Sequence, residues 1–476
     1  MYKYLITASF ILITAAMNAQ VTVSTGRARE FSFKKQPLFS SFATDENYYF
    51  HFRRMENAMT YHTLVTADNK GSIEHMSNLK IDMGVFNNSF NIVGIYAVGN
   101  KVYAAVENPN KSAGQNTLSL RPIKDGEIGL RDVKIGALEF EKLTNQGNWL
   151  ITVTPDKKHL AVVGQMPREK SEPNRYKYFF LDESLTVLNK GEFTFPDDTK
   201  RVYFNHFLAS DKGDLYMIKT DFEKGYSFPK VYKASITTTT GTIIDVQPEE
   251  DKVQTYTPSI NSEGDLILAG YYKKKANFVV GDVEAVGSWW YTLSKGKMQM
   301  SPFEKRMTNM TAQGLVKNGD TWFLVGEQYK ATKEAPTGSV MNVEENYTYK
   351  HNDVLVTAFD DAGTKKFDIP LSKNYTARNF DADLYPAFGV LNGKLAIVYN
   401  DQYGKYFPNT SYDSYKLPVL VYITNDGLME QPVQLAKELQ VPGSAYTLYP
   451  QIFGAGKNEL VLLQGNNESI KSVVFH

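Results

Sequence analysis

Apolar and polar residues alternate with a period of two along nearly the whole chain. That pattern predicts half-buried β-strands rather than helices. The clearest unit is Thr255-Tyr-Thr-Pro-Ser-Ile-Asn-Ser-Glu-Gly-Asp-Leu-Ile-Leu-Ala-Gly-Tyr271. It reads as a strand from Tyr256 to Asn261, a turn at Ser262–Asp265 and a second strand from Leu266 to Tyr271. Glycine in the turn supplies the positive φ that such a hairpin needs. The same hairpin recurs from Phe39 to Arg53, Ile92 to Val106, Leu150 to Gly164 and Phe204 to Lys219. It continues from Ala312 to Glu327, Tyr385 to Tyr399 and Tyr449 to Gln464. These eight copies lie roughly 53 to 73 residues apart, the period of a repeat architecture. A helical pattern is confined to Val433–Leu439, a turn or two before Pro442.

Each unit carries a second turn, as in Ala67–Gly71, Lys124–Gly126, Asp182–Ser184, Thr239–Gly241, Ser294–Gly296, Asp360–Gly363 and Asn425–Gly427. The strands before it are β-branched and aromatic, as in Asp353–Phe359 and Pro418–Thr424. Seven units therefore have four strands. The eighth, from Tyr449, has only three, ending in Ser469–Phe475, and the unpartnered stretch Val21–Phe33 would complete it.

These features predict an all-β fold: an eight-bladed β-propeller closed by pairing of its N- and C-terminal strands. Such closure removes sheet edges that template aggregation. A seven-bladed ring with an N-terminal appendage is the alternative, because the first unit is the least regular. The propeller is expected to occupy residues 20–476 as one domain, after a closing strand and link over 20–37. Its blades are expected to start near 38, 92, 149, 203, 256, 311, 384 and 448.

The chain resembles a β-propeller over its whole mature length but departs from each named repeat family. It has no Trp-Asp repeat ending, no kelch Gly-Gly pair and no sialidase box. Thr357–Phe367 is similar to the repeat of quinoprotein-like propellers but lacks its tryptophan. The resemblance implies a fold, and a fold does not imply a function.

Composition narrows the setting. Lys plus Arg and Asp plus Glu both count 52 in 476 residues, so the net charge is zero. A general nucleic-acid or anionic-membrane binder needs a cationic field, which this balance does not provide. Lys273-Lys274-Lys275 is a local basic patch of the kind usually found solvated in a loop. There is no cysteine, which removes disulfides, thiolate metal sites, cysteine nucleophiles and a lipid anchor on cysteine. Lys3, the apolar run Leu5–Ala16 and Met17-Asn18-Ala19 read as a signal peptide over residues 1–19. That run is too short to span a bilayer. The ending resembles that of exported proteins of Bacteroidetes-type Gram-negative bacteria. With the last blade running to His476, no room is left for a C-terminal sorting domain, so the expected location is the periplasm.

Candidate chemistry is sparse. The seven histidines, His51, His62, His75, His159, His206, His351 and His476, show no metal-ligand spacing. His206 falls in an innermost strand, where it could face the channel, and a structural role is the better reading. Asp211–Asp214 and Asp360-Asp361 fall on turns, where Asp is favoured for its own backbone bonding. Asp381 and Asp383 fall in a link that opens on the channel mouth. Neither a nucleophile elbow nor a Walker-type phosphate loop is present.

Tyrosine, with 30 copies, stands out. Three consecutive units have long connections between their second and third strands: Lys273–Gly287, Gln328–Asn352 and Asp401–Lys416. In a propeller these connections share one face, so they predict an aromatic ridge there. Its residues are Tyr271, Tyr272, Phe278, Tyr329, Tyr347, Tyr349, Tyr403, Tyr406, Phe407, Tyr412 and Tyr415. The expectation is a non-catalytic, metal-free and cofactor-free binding scaffold, monomeric by itself. It would dock on a cell-envelope protein assembly such as an outer-membrane transport or secretion channel. The alternative is a glycan-binding or glycan-active propeller that uses the same tyrosines and channel-mouth carboxylates.

Overall fold

The computed structural model describes residues 23–25, 29–30, 38–56, 59–79, 90–168, 172–196, 202–223, 226–248, 252–273, 283–334, 346–378, 385–408, 416–434, 447–453, 459–465 and 469–475. The signal segment, Phe278, Asp381, Asp383, Tyr412, Tyr415, His476 and the stretch 435–439 lie outside these residues. So do the side chain of Tyr403 and most of the basic patch.

The fold is an all-β propeller. Its described strands form eight antiparallel sheets that follow one another along the chain. Sheet five shows the plan. Lys252–Ile260 lies innermost, followed outward by Leu266–Lys273, Glu284–Thr292 and Lys297–Thr308. The innermost strands of the other sheets begin at Leu38, Asn91, Asn148, His206, Met310, Ala387 and Thr447. Innermost strands of neighbouring sheets touch in sequence, and Leu38–Ala43 meets Thr447–Phe453 where the chain returns on itself.

The terminal sheet is built from both chain ends. Thr447–Phe453, Glu459–Gly465 and Ser469–Phe475 form three of its strands, and Val23–Thr25 with Arg29–Glu30 pairs on the outside of the last. Val23 lies opposite Phe475 and Arg29 opposite Ile470. An edge that would otherwise stand open is thereby paired.

The hairpin turns explain why the chain reverses where it does. In sheet five the Asn261 side-chain oxygen accepts from the amides of Glu263 at 3.0 Å and Asp265 at 2.8 Å, and Gly264 takes φ +89°. Asp68, Asp182 and Asp360 bond the amides of Ser72, Thr186 and Thr364 in the same way, at 2.7–2.8 Å. Asp211 accepts the amide of Asp156 on the neighbouring sheet at 3.1 Å. Further turn-to-turn bonds join Asn100 to Asp45, Gly99 to Lys157, Lys212 to Glu263 and Asn318 to Gly393. The face of the ring that carries the first turns is therefore stitched from sheet to sheet.

The core lies between sheets. Large residues on one sheet meet glycines or small apolar residues on the next: a side chain at Gly326 would collide with the Tyr271 ring, and one at Gly363 with Trp290. Burying such rings supplies the main stabilisation, at about 25 cal/mol per Å² of apolar surface.

Candidate interaction site on the loop face

The long connection predicted over Gln328–Asn352 is not a loop at its root. Strands Thr321–Lys333 and Tyr347–Asp360 of sheet six continue past the ring, pairing Tyr329 with His351, Ala331 with Tyr349 and Lys333 with Tyr347. A third strand, Tyr375–Arg378, joins the outer side through Tyr349–Ala377 and His351–Tyr375. The result is a three-stranded flap.

Its register makes it two-faced, because side chains alternate along a strand. Tyr329, Ala331, Lys333, Tyr347, Tyr349, His351, Tyr375 and Ala377 share one face, and Lys330, Thr332, Thr348, Lys350 and Thr376 share the other. On the polar face Lys330, Thr332, Lys350 and Thr376 are exposed and Thr348 is half-buried. On the aromatic face Tyr329 stacks near Tyr349 at 6.5 Å, and Tyr347 near Tyr349 at 6.1 Å. Tyr385, from the link into sheet seven, completes the group at 5.7 Å from Tyr329 and 4.9 Å from His351.

Below this face lies a fully buried ionic cluster. Register slips between Glu327 and Tyr329, and this bulge turns His351 onto the side that Glu327 already occupies. His351 Nδ1 donates to Glu327 Oε2 at 2.9 Å, and Lys373 Nζ donates to Glu327 Oε1. A carboxylate only accepts, so these bonds place a proton on Nδ1. Glu327, His351 and Lys373 are each almost fully excluded from solvent. Two further bonds tie the Lys373 segment to its surroundings: its amide donates to Asp353 at 3.2 Å, and that of Asn374 to Asp401 at 3.4 Å.

Asp401 anchors the adjoining part of sheet seven. Buried itself, it accepts from Lys405 Nζ at 2.9 Å. The Tyr406 hydroxyl lies 3.2 Å from Asp401, 2.8 Å from the Ser372 carbonyl and 3.0 Å from the Tyr399 hydroxyl. Burial first, and then the neighbouring hydroxyl and carboxylate, push the Tyr406 hydroxyl far up, and burial takes that of Tyr399 to about 12. Both stay protonated as bond donors.

The predicted ridge is accordingly redistributed. Tyr329, Tyr347 and Tyr349 come together on the flap. Tyr271 and Tyr272 do not belong to a contact surface: Tyr271 packs on Gly326 of the next sheet, and Tyr272 folds over its cross-strand partner Gly287. Tyr406 and Phe407 pack onto the sheet-seven core as the inside of a bonded loop. Tyr403 opens the 3-10 turn Tyr403–Lys405. Glu327, Lys373, Tyr385 and Asp401 escaped sequence reasoning, since no local motif joins residues so far apart. The one signal was a glutamate ending the apolar run Trp322–Gly326.

Four other histidines fall in three settings. His51 Nε2 and His62 Nδ1 share a hydrogen bond of 2.9 Å deep in sheet one, and burial lowers them to about 3 and about 4. His206 lines a cleft between innermost strands of sheets four to six. His159 pairs with Asp156 at 3.3 Å near a turn. Among the described residues no group of three or more His, Asp or Glu is placed to hold a metal ion. No described helix is long and apolar enough to cross a membrane.

No known family profile matches the chain, and no curated protein matches it either. Solved structures with a similar course exist. The β-propeller domain of the Trilobed protease from Pyrococcus furiosus, described as having an open velcro topology, is 11% identical with a TM-score of 0.34 and covers 84% of this chain and 96% of its own. Pyrococcus horikoshii acylaminoacyl peptidase is 10% identical with a TM-score of 0.37, covering 90% of this chain and 58% of its own. A polysaccharide lyase of family PL25, an ulvan lyase, is 9% identical with a TM-score of 0.35, covering 93% and 95%. At these identities the likeness concerns the fold alone.

Proposed function

We propose that the protein is a non-catalytic binding scaffold whose sheet-six flap docks on a protein partner, with a cell-envelope assembly in the periplasm as the setting. The observation that carries this reading is the flap itself. A propeller closes without it, yet here three strands continue past the ring and are rooted on a buried ion cluster. Desolvating Glu327 and Lys373 costs several kcal/mol that an apolar core would not incur. What that arrangement achieves is a fixed orientation for a projecting surface.

The surface suits a protein. Half-buried tyrosines offer rigid area with polar tips, a composition enriched where proteins meet. Lys330 and Lys350 lie directly across from each other on the outer, exposed face and give it a positive charge. A partner surface bearing carboxylates complements that charge.

The test is capture of partners from envelope extracts by the natively expressed, tagged protein, alongside a Lys330→Glu/Lys350→Glu variant of equal thermal stability. One envelope protein recovered near stoichiometrically by the parent and lost by the variant is the expected result. Equal recovery by both would remove the flap from the account.

A further inference from the structure

We propose that the cleft between the innermost strands of sheets four, five and six binds one ring of a neutral carbohydrate. The site adjoins the root of the flap, since Thr311 pairs across the strands with Glu327, but it does not rest on the docking role. The cleft has a volume of about 260 Å³ and opens on the same face of the ring as the flap. Its polar wall is formed by Asn205, His206 and Thr220 of the sheet-four region, Gln254 and Tyr256 of sheet five, and Thr311 of sheet six.

The wall selects against other ligand classes. Among the described residues it contains no carboxylate, ammonium or guanidinium group, and burial lowers the His206 pKa so that the ring stays neutral at neutral pH. An anion or cation would be desolvated here without a counter-charge. A purely apolar ligand would cover the Asn205 NH₂ and leave the Gln254 side-chain oxygen without a donor, at about 1–3 kcal/mol each. A sugar ring avoids both penalties, since its hydroxyls donate and accept while its C–H face stacks on an aromatic ring. Tyr256 supplies such a ring, held edge to face with His206 at 5.8 Å.

The polar groups are fixed in place. Asn205 accepts the Thr220 amide through its side-chain oxygen at 2.7 Å, so its NH₂ remains as a donor. The Thr220 and Tyr256 hydroxyls share a bond of 3.1 Å. At the rim, Thr255 Oγ1 donates to the Met310 carbonyl at 3.3 Å and accepts the Ala312 amide at 3.0 Å, locking sheet five to sheet six. Gln254 Oε1 is buried with no hydrogen-bond partner among the described residues, an acceptor that a ligand hydroxyl would satisfy. A preset wall keeps the ordering penalty of binding low.

The test uses the full chain with maltotriose, cellotriose and chitotriose as neutral probes and tri-galacturonic acid as the charged control. Binding is read by saturation-transfer NMR and by tryptophan fluorescence, since Trp289 lies 6.5 Å from the Tyr256 ring. Saturable binding of at least one neutral trisaccharide is expected, weakened tenfold or more by Tyr256→Ala and by His206→Ala. Thr311→Met fills the cleft from the opposite wall without touching the Thr220–Tyr256 bond, so it separates loss of the site from loss of the fold. The Lys330→Glu/Lys350→Glu flap variant is expected to bind the sugar unchanged. Absence of saturable binding for all three neutral probes overturns the proposal, as does preferential binding of the charged control. So does undiminished binding by a Thr311→Met protein that melts normally.

Discussion

Sheets one and six both send their second and third strands past the ring as a hairpin, and both root that hairpin on buried histidine. In sheet one, Asn47–Glu56 and Met59–Asp68 pair to the tip, with Arg53 opposite His62 and Glu56 opposite Met59. The root is a pair of neutral imidazoles stacked at 5.1 Å. Further out, Arg53 lies over Phe39 at 4.1 Å and Arg54 over Tyr61 at 4.8 Å, so the hairpin is fastened by cation–π contacts. In sheet six the root is charged, a third strand is added, and tyrosines line one face. Neutral imidazoles exclude protons, whereas an ion cluster requires every partner at once. The first root therefore makes stability depend on pH, and the second makes a projecting surface stand or fall as a unit.

Breaking the charged root should have the largest effect. Lys373→Met leaves the Glu327 carboxylate buried with His351 as its one remaining partner among the described residues, and removing one partner of a buried ion pair costs about 3–5 kcal/mol. Urea unfolding is expected to show that loss, and the double variant Glu327→Gln/Lys373→Met to regain part of it. A single variant within about 0.5 kcal/mol of the parent would mean that the cluster is not the root of the flap.

The neutral root predicts a pH effect with a definite sign. Below pH 6.5 the unfolded chain protonates both histidines, whereas the folded pair resists until about 4 for His62 and about 3 for His51. The unfolded state then holds more protons, so stability falls as pH drops from 6.5 towards 4 and levels off below the folded values. Melting curves across this window should show the slope, and His51→Phe/His62→Leu should flatten it. An unchanged slope would assign the acid sensitivity to other groups.

A smaller loss is expected in sheet seven. Tyr406→Phe removes the hydroxyl shared by Asp401, Ser372 and Tyr399, and leaving buried groups unpaired costs about 1–3 kcal/mol. A null result in chemical denaturation would mark Tyr406 as a surface residue, as the sequence suggested. Smallest of all should be Tyr347→Ser on the flap, about 0.5–1.5 kcal/mol for one aromatic contact.

Much of the fold was legible because its signals are local. Alternation and a glycine at position 264 mark the hairpin that the structure builds from Lys252–Ile260 and Leu266–Lys273. The missing outer strand at the C-terminus and the surplus strand at the N-terminus could be matched by composition, and Val23–Thr25 pairs there. The site was less legible because its determinants are not local. A tyrosine in a strand looks the same whether it faces solvent or, like Tyr271, a glycine on the next sheet. The slip beside Tyr329 that brings His351 to Glu327 depends on register, and the Lys373 contact joins residues distant in sequence.

The comparison also supplies the most direct test of the docking reading. A photo-crosslinking amino acid placed at Tyr347 on the flap, and in a second protein at Tyr61 on the sheet-one hairpin, would probe both projections in intact cells. The account predicts a single dominant crosslinked envelope protein from position 347 and none from position 61. Equal crosslinking from both positions, or a product from position 61 alone, would contradict it.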